Sequence, residues 1–191
     1  MTDAGSDDTV FAVVLDFLPT GHHDDSRQRY RRSPVAYALG EEDFGLYELR
    51  FEDGAKYGVG DRLAVDPPAD DLAETDRIAY GDLTGTARSE LEYAVDELID
   101  RDEKRFVDFY NDAQPITLRL HQLNLLPGIG KKLRNNILDA RKRKPFESFD
   151  DLDERVSGLH RPREVLKERI LEELSDADLK YRIFARQAKR E

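Results

Sequence analysis

The chain has 191 residues, no cysteine, a formal net charge of −11 and 37% charged side chains; this is enough for one or two compact domains and excludes disulfides and thiolate metal sites. No apolar run reaches the roughly 18 residues that a membrane span needs, and the opening Met-Thr-Asp-Ala-Gly-Ser-Asp-Asp lacks the basic and apolar regions of a secretory leader. A cytoplasmic protein with no membrane partner is expected.

Residues 1–8 read as a disordered acidic tail. Thr9–Phe17, rich in Val, Phe and Leu, predicts a buried strand that stops before Pro19. Residues 20–33 form a polar loop. Val35–Leu39 and Phe44–Phe51 predict two further strands on either side of a turn at residues 40–43, and Asp53-Gly54 marks the next turn. Residues 57–65 pass from loop into strand, and Arg77–Tyr80 predicts the last one. Short strands at this spacing predict a small OB-like β-barrel over residues 9–83. Beyond Gly85 the apolar positions Leu91, Val95, Leu98, Ile99, Phe106 and Tyr110 return to one face. This predicts a connecting segment, 84–112, of one long helix or of two with a bend near Asp100–Asp102.

The most informative stretch is Leu123-Asn-Leu-Leu-Pro-Gly-Ile-Gly-Lys-Lys-Leu133. An apolar run stops at Pro127, turns through Gly128, Ile129 and Gly130, and restarts as a lysine-led helix over Lys131–Arg143. The apolar residues Ile116, Leu118, Leu120, Leu123 and Leu126 predict the helix before the turn. The glycines permit positive φ and close approach of the backbone, Ile129 can plug the gap between helices, and the amides of Gly130, Lys131 and Lys132 lack an intrahelical acceptor. This is the helix-hairpin-helix pattern that grips nucleic-acid backbones without reading bases. Arg134 and the run Arg141, Lys142, Arg143 and Lys144 extend the basic track, although cations also suit a helix C-terminus for its own sake.

A degenerate echo follows. Residues 146–156 predict a short capped helix, Ser157–His160 a turn, and Pro162–Leu174 a second helix. Aligned on the first turn, His160 falls where Gly130 sits, so the second turn is expected to be mainly structural. Together these elements predict an α+β chain, with an α-helical tandem helix-hairpin-helix domain over 113–175 and a C-terminal strand and tail over 176–191.

Charge is unevenly shared. Residues 1–114 hold 28 acids and 12 bases, whereas residues 115–191 hold 13 acids and 18 bases. The hairpin therefore lies in the basic part of an acidic protein. Asp outnumbers Glu 25 to 16 and Arg outnumbers Lys 21 to 9, a surface composition expected of salt-loving archaea. In molar salt the Debye length is about 3 Å, so affinity must come from contact-range hydrogen bonds, which fixed backbone donors supply.

Other candidates are weaker. Arg27, Arg29, Arg31 and Arg32 surround Tyr30 in a loop that could contact nucleic acid, with Tyr30 stacking on a base. His22, His23, Asp24 and Asp25 suit an exposed loop better than a metal site, because adjacent side chains diverge and no third ligand cluster is visible. Phe44, Tyr47 and Phe51 are read as core before they are read as a stacking platform, and His121 as surface. Gly58-Val59-Gly60 has no following Gly-Lys of a phosphate loop. Lys132 and Asp150 imitate the nucleophile pair of endonuclease-III-type glycosylases, but the cluster cysteines and base-flipping helices are missing. No catalytic residue, cofactor or metal is expected.

The strings Leu15-Asp-Phe-Leu-Pro-Thr-Gly-His22, Asp24-Asp-Ser-Arg27, Ala113-Gln-Pro-Ile-Thr117, Leu123–Lys132 and Lys144-Pro-Phe-Glu-Ser-Phe149 together resemble an archaeal family, domain of unknown function 655, over nearly all of residues 10–186. The resemblance implies an OB-like barrel followed by tandem helix-hairpin-helix units and a nucleic-acid-binding role. It also implies a genomic setting beside ribosomal and rRNA-modification genes. A non-enzymatic nucleic-acid-binding protein is expected, with RNA favoured over DNA and ribosome-assembly or transcription machinery as the wider partner. It is expected to grip phosphate backbones through the hairpin and single-stranded or structured RNA through the barrel, in rRNA processing or ribosome biogenesis. A DNA repair or replication accessory protein and a protein-interaction scaffold are the alternatives.

Overall fold

The computed structural model describes residues 8–22 and 33–186. The expected acidic tail (save Asp8) and the arginine-rich loop at 27–32 lie outside the described residues. The described chain is α+β and divides into two compact units: the residues up to Ala94 with those from Phe184 onward, and Val95–Ile183.

The first unit is built on β1 (Val10–Leu18), β2 (Val35–Gly40), β3 (Leu46–Phe51), β4 (Arg62–Asp66) and β5 (Leu72–Arg77), an antiparallel sheet in the order β4-β1-β2-β3-β5. The sheet is curled into an open half-barrel. Register shifts at Val14/Asp16, Val10/Phe11 and Arg50/Phe51 supply the local bends that a curl requires. All five strands contribute to one apolar cluster containing Val14, Ala38, Leu49, Val65 and Leu72. Small side chains at Ala12, Ala36 and Ala38 leave room inside it for Phe51 and Tyr57, whose ring centroids are 4.7 Å apart. Val13, Leu15, Tyr37 and Leu39 point to the opposite face and are buried too, which is why β1 and β2 read as continuous apolar runs.

Two expected strands are not found where the sequence pattern put them. The last strand is Leu72–Arg77, and Tyr80–Asp82 is a 3-10 turn. Only Leu72 of β5 is buried, so this edge strand is held by backbone pairing with β3 and carries almost no apolar signal. The C-terminal strand expected within 176–191 does not form among the described residues, and the Arg186 amide donates to the Asp43 carbonyl at 3.0 Å.

The expected bend near Asp102 is present, between α1 (Gly85–Arg101) and α2 (Glu103–Asp112). No helix among the described residues is long and apolar enough to cross a membrane. The second unit continues with a 3-10 turn (Gln122–Leu125), α3 (Lys131–Arg143), α4 (Phe149–Arg155) and α5 (Pro162–Ser175). Its helices are tied end to side by arginines. Arg155 donates to the Ala140 and Lys144 carbonyls at 2.9 and 2.7 Å, closing the C-terminus of α3. Arg182 does the same for the Glu173 and Asp176 carbonyls at the end of α5.

Arg169 and Glu173, 6% and 1% exposed, form a buried pair at 3.0 Å. The same Glu173 oxygen accepts the Ile183 amide, and Arg169 donates to the Tyr181 carbonyl, so the pair docks the segment after α5. Glu173→Ala leaves the buried guanidinium with only the half-exposed Glu172, 3.3 Å away, and frees the Ile183 amide; it is expected to cost about 3 kcal/mol. Asp108→Asn, which removes the exposed pair with Lys104, should leave the urea midpoint unmoved. Equal midpoint shifts for the two variants would refute this assignment.

Candidate nucleic-acid interface

The glycine turn is a type II β-turn. The Ile129 amide donates to the Leu126 carbonyl at 3.3 Å, Pro127 takes the second position, and Gly128 takes the third at φ +77°. Leu126 and Ile129 are buried, so the turn is anchored by its ends. Gly130 then serves as the N-cap of α3 with no side-chain cap, and the first helical bond runs from the Arg134 amide to the Gly130 carbonyl at 2.9 Å. The amides of Lys131, Lys132 and Leu133 therefore have no helical acceptor. A β-carbon placed on Gly128 or Gly130 would meet nothing within 4 Å; the turn faces open space.

The first turn of α3 holds no acid, and exposed Lys131 and Lys132 stand there instead. Cations are unfavourable at the positive end of a helix dipole. Such an arrangement costs stability in the free chain, a cost that an anion placed there would offset.

The helix expected before the turn, 116–126, is absent. Pro115 pairs with His121 across a tight turn, and only Gln122–Leu125 is helical, as one 3-10 turn. Polar side chains capture the donors that a helix would use. Thr117 Oγ1 accepts the Leu120 amide at 3.0 Å, and His121 Nδ1 accepts the Leu123 amide at 3.1 Å. Pro127 also biases Leu126 toward extended backbone, where it sits at ψ 137°.

His121, expected at the surface, is buried and caps this turn. Asn124 completes the support. Its oxygen accepts the His121 amide at 3.2 Å and Arg134 Nη1 at 3.1 Å, while its nitrogen donates to the Ile129 carbonyl at 3.1 Å. Arg134 thus braces the turn. The two residues that position the turn were legible only as polar breaks in an apolar run.

Arg141 turns inward. It donates to the Tyr110 and Ala113 carbonyls at 3.1 and 2.9 Å and closes the C-terminus of α2, so it does not extend a surface track. Lys142, Arg143 and Lys144 are exposed, with Lys144 3.2 Å from Glu147. The second turn repeats the first in backbone: the Leu159 amide donates to the Val156 carbonyl at 3.2 Å, with Gly158 at φ +91°. It packs on α3, since Asn136 donates to the Ser157 carbonyl at 3.3 Å. The following helix begins one residue later and with Pro162, which has no amide proton to offer.

Phe44, Tyr47 and Phe51 are core residues and present no stacking face. His22 bonds the Tyr37 hydroxyl at 3.2 Å and lies 3.4 Å from Glu48. Burial and Glu48 push the Tyr37 hydroxyl up to about 12. Among the described residues no group of three or more His, Cys, Asp or Glu could hold a metal ion.

Residues 8–186 match the family model described as "Protein of unknown function (DUF655)". The chain belongs to the DUF655 family. It is 39% identical over 179 residues to the uncharacterized protein MJ0038 of Methanocaldococcus jannaschii, covering 92% of this chain and 79% of that protein. It is also similar to the crystal structure of Af1531 from Archaeoglobus fulgidus, a DUF655 protein, at 42% identity and a TM-score of 0.80, covering 92% of this chain and 99% of that one.

The cap on the 3-10 turn makes this part of the DUF655 chain pH-sensitive. Burial, then Arg141 and Arg134, hold the His121 imidazole below its ordinary 6.5, and Nδ1 must stay unprotonated to accept the Leu123 amide. The unfolded chain takes up that proton more readily, so the contribution is complete above about pH 6.5 and is lost as the pH falls through the depressed folded value. His121→Asn retains an N-cap acceptor and should flatten part of the decline in denaturation midpoint between about pH 7 and 5. An NMR titration of His121 above 6.5 would contradict the assignment.

Proposed function

We propose that this protein binds nucleic acid through its phosphate backbone, without reading bases, using the Leu126–Gly130 turn and the first turn of α3. The observation that carries the reading is an uncapped, lysine-flanked helix start set directly behind a glycine in the left-handed region and open to solvent. Gly130, Lys131 and Lys132 supply amide donors and the two lysines supply charge, while Lys142 and Arg143 extend the contact along α3. On this reading the unit acts as a helix-hairpin-helix whose first arm is reduced to a 3-10 turn. Fixed donors of this kind retain their value in the concentrated salt that an Asp- and Arg-rich chain suits.

The test is binding of duplex and single-stranded RNA and DNA, in separate arms, over a range of salt. A Lys131→Glu/Lys132→Glu variant should lose affinity for every sequence alike. The slope of log Kobs against log salt should become shallower by about two. Gly130→Pro, which removes one amide donor at φ −88°, should weaken binding without changing the slope. RNA is the expected preference. Failure of the wild-type chain to bind any nucleic acid would sink the proposal and leave a protein-interaction scaffold as the better reading.

A further inference from the structure

Just ahead of the glycine turn the chain raises a short finger. The amides of Ile116 and Thr117 donate to the Leu120 carbonyl at 2.8 and 3.0 Å, and Thr117 Oγ1 accepts the amides of Arg119 and Leu120 at 3.3 and 3.0 Å. At the base, the Gln122 amide donates to the Gln114 carbonyl at 2.9 Å, and Gln122 Oε1 accepts the Gln114 amide at 2.8 Å. Leu118 sits at the tip with a relative exposure of 107%. An isolated exposed leucine is ordinary on a protein surface. This one is held outward by a hydrogen-bonded loop that gives it no apolar neighbour.

The finger and the glycine turn share more than proximity in sequence. His121 at the finger's base caps the 3-10 turn, and Asn124 of that turn grips the Ile129 carbonyl and Arg134. Residues 113–138 contain no Asp or Glu, the longest such run in a chain with 41 acids. Within it lie Arg119, Lys131, Lys132 and Arg134. An anionic polymer seated on the glycine turn meets no carboxylate from this stretch.

We infer that Leu118 is an apolar wedge that enters a base step of the bound nucleic acid, with Arg119 beside it on a phosphate. The inference rests on the backbone-binding reading above. Proteins that insert a leucine between bases exchange stacking for contact and bend the helix. Unstacking costs least where a base is already unpaired, so the chemistry selects a helix interrupted by a bulge, mismatch or junction over a perfect one.

The experiment uses the full chain with 2-aminopurine placed next to a one-nucleotide bulge, in RNA and in DNA, and with the matching perfect duplex. The wild-type protein is expected to raise the fluorescence and to prefer the bulged helix. Leu118→Ala, at a position that touches nothing in the fold, should keep its affinity for perfect duplex but lose about tenfold of the bulge preference, the scale of one stacking contact. The fluorescence rise should vanish with it, and Leu118→Ile should restore both. Wild-type binding with no fluorescence rise, or an unchanged preference in Leu118→Ala, overturns the wedge while leaving backbone binding intact. Capture of a protein partner that depends on Leu118, with nucleic-acid binding unaffected, also overturns it. No binding by the wild type removes the underlying reading as well.

Discussion

The second unit is governed by a simple constraint: it is made of short helices, and each helix end exposes backbone groups that must be satisfied. At C-termini the solution is arginine. Arg141 closes α2, Arg155 closes α3 and Arg182 closes α5, each reaching from outside the helix it closes. One guanidinium fork thereby both satisfies carbonyls and sets the angle between elements. The Arg-rich composition has a structural use here, separate from any surface charge.

N-termini are treated less uniformly, and the difference is informative. Ser148 caps α4, with Glu103 accepting its first amide at 3.0 Å. His121 and Asn124 cap the 3-10 turn. No side-chain cap closes α2 or α5, but α2 has Glu103 in its first turn and α5 begins with proline. At α3 none of these devices is present. Glycine and two lysines leave amide donors and positive charge in the same place, so local folding stability is given up at one position where the neighbouring helix starts are stabilised. Such a local exception is a stronger reason to propose a site than a motif is.

Much of this was legible in the sequence, for identifiable reasons. The limits of α3, Lys131 to Arg143, follow from Gly130 and Pro145, residues whose backbone restrictions act locally. The second turn was visible because Gly158 repeats the role of Gly128. Most of what failed to show depends on partners distant in sequence, and the segment before the glycine turn is a local exception. β5 is exposed along five of its six residues and exists because β3 pairs with it. The apolar residues at 116–126 suggested a helix, yet Thr117 and His121 withdraw the amides it would use. Arg141 looked like one more surface cation; only the position of α2's last carbonyls turns it inward. The DUF655 family assignment narrowed the architecture but left these exchanges to be found residue by residue.

The overall charge of −11 is a poor guide to what such a chain can bind. Electrostatic interaction at a contact is decided within a Debye length, about 8–10 Å at ordinary ionic strength and shorter in brine. Carboxylates beyond that distance scarcely affect a phosphate seated on the glycine turn. The relevant quantity is the sign of the nearest groups. The stretch that carries the turn, residues 113–138, holds Arg119, Lys131, Lys132 and Arg134 and no acid. An acidic surface elsewhere then has a second consequence for a backbone binder. At ordinary ionic strength such charge disfavours approach elsewhere, so a weak local contact gains orientation that a uniformly basic protein would lack.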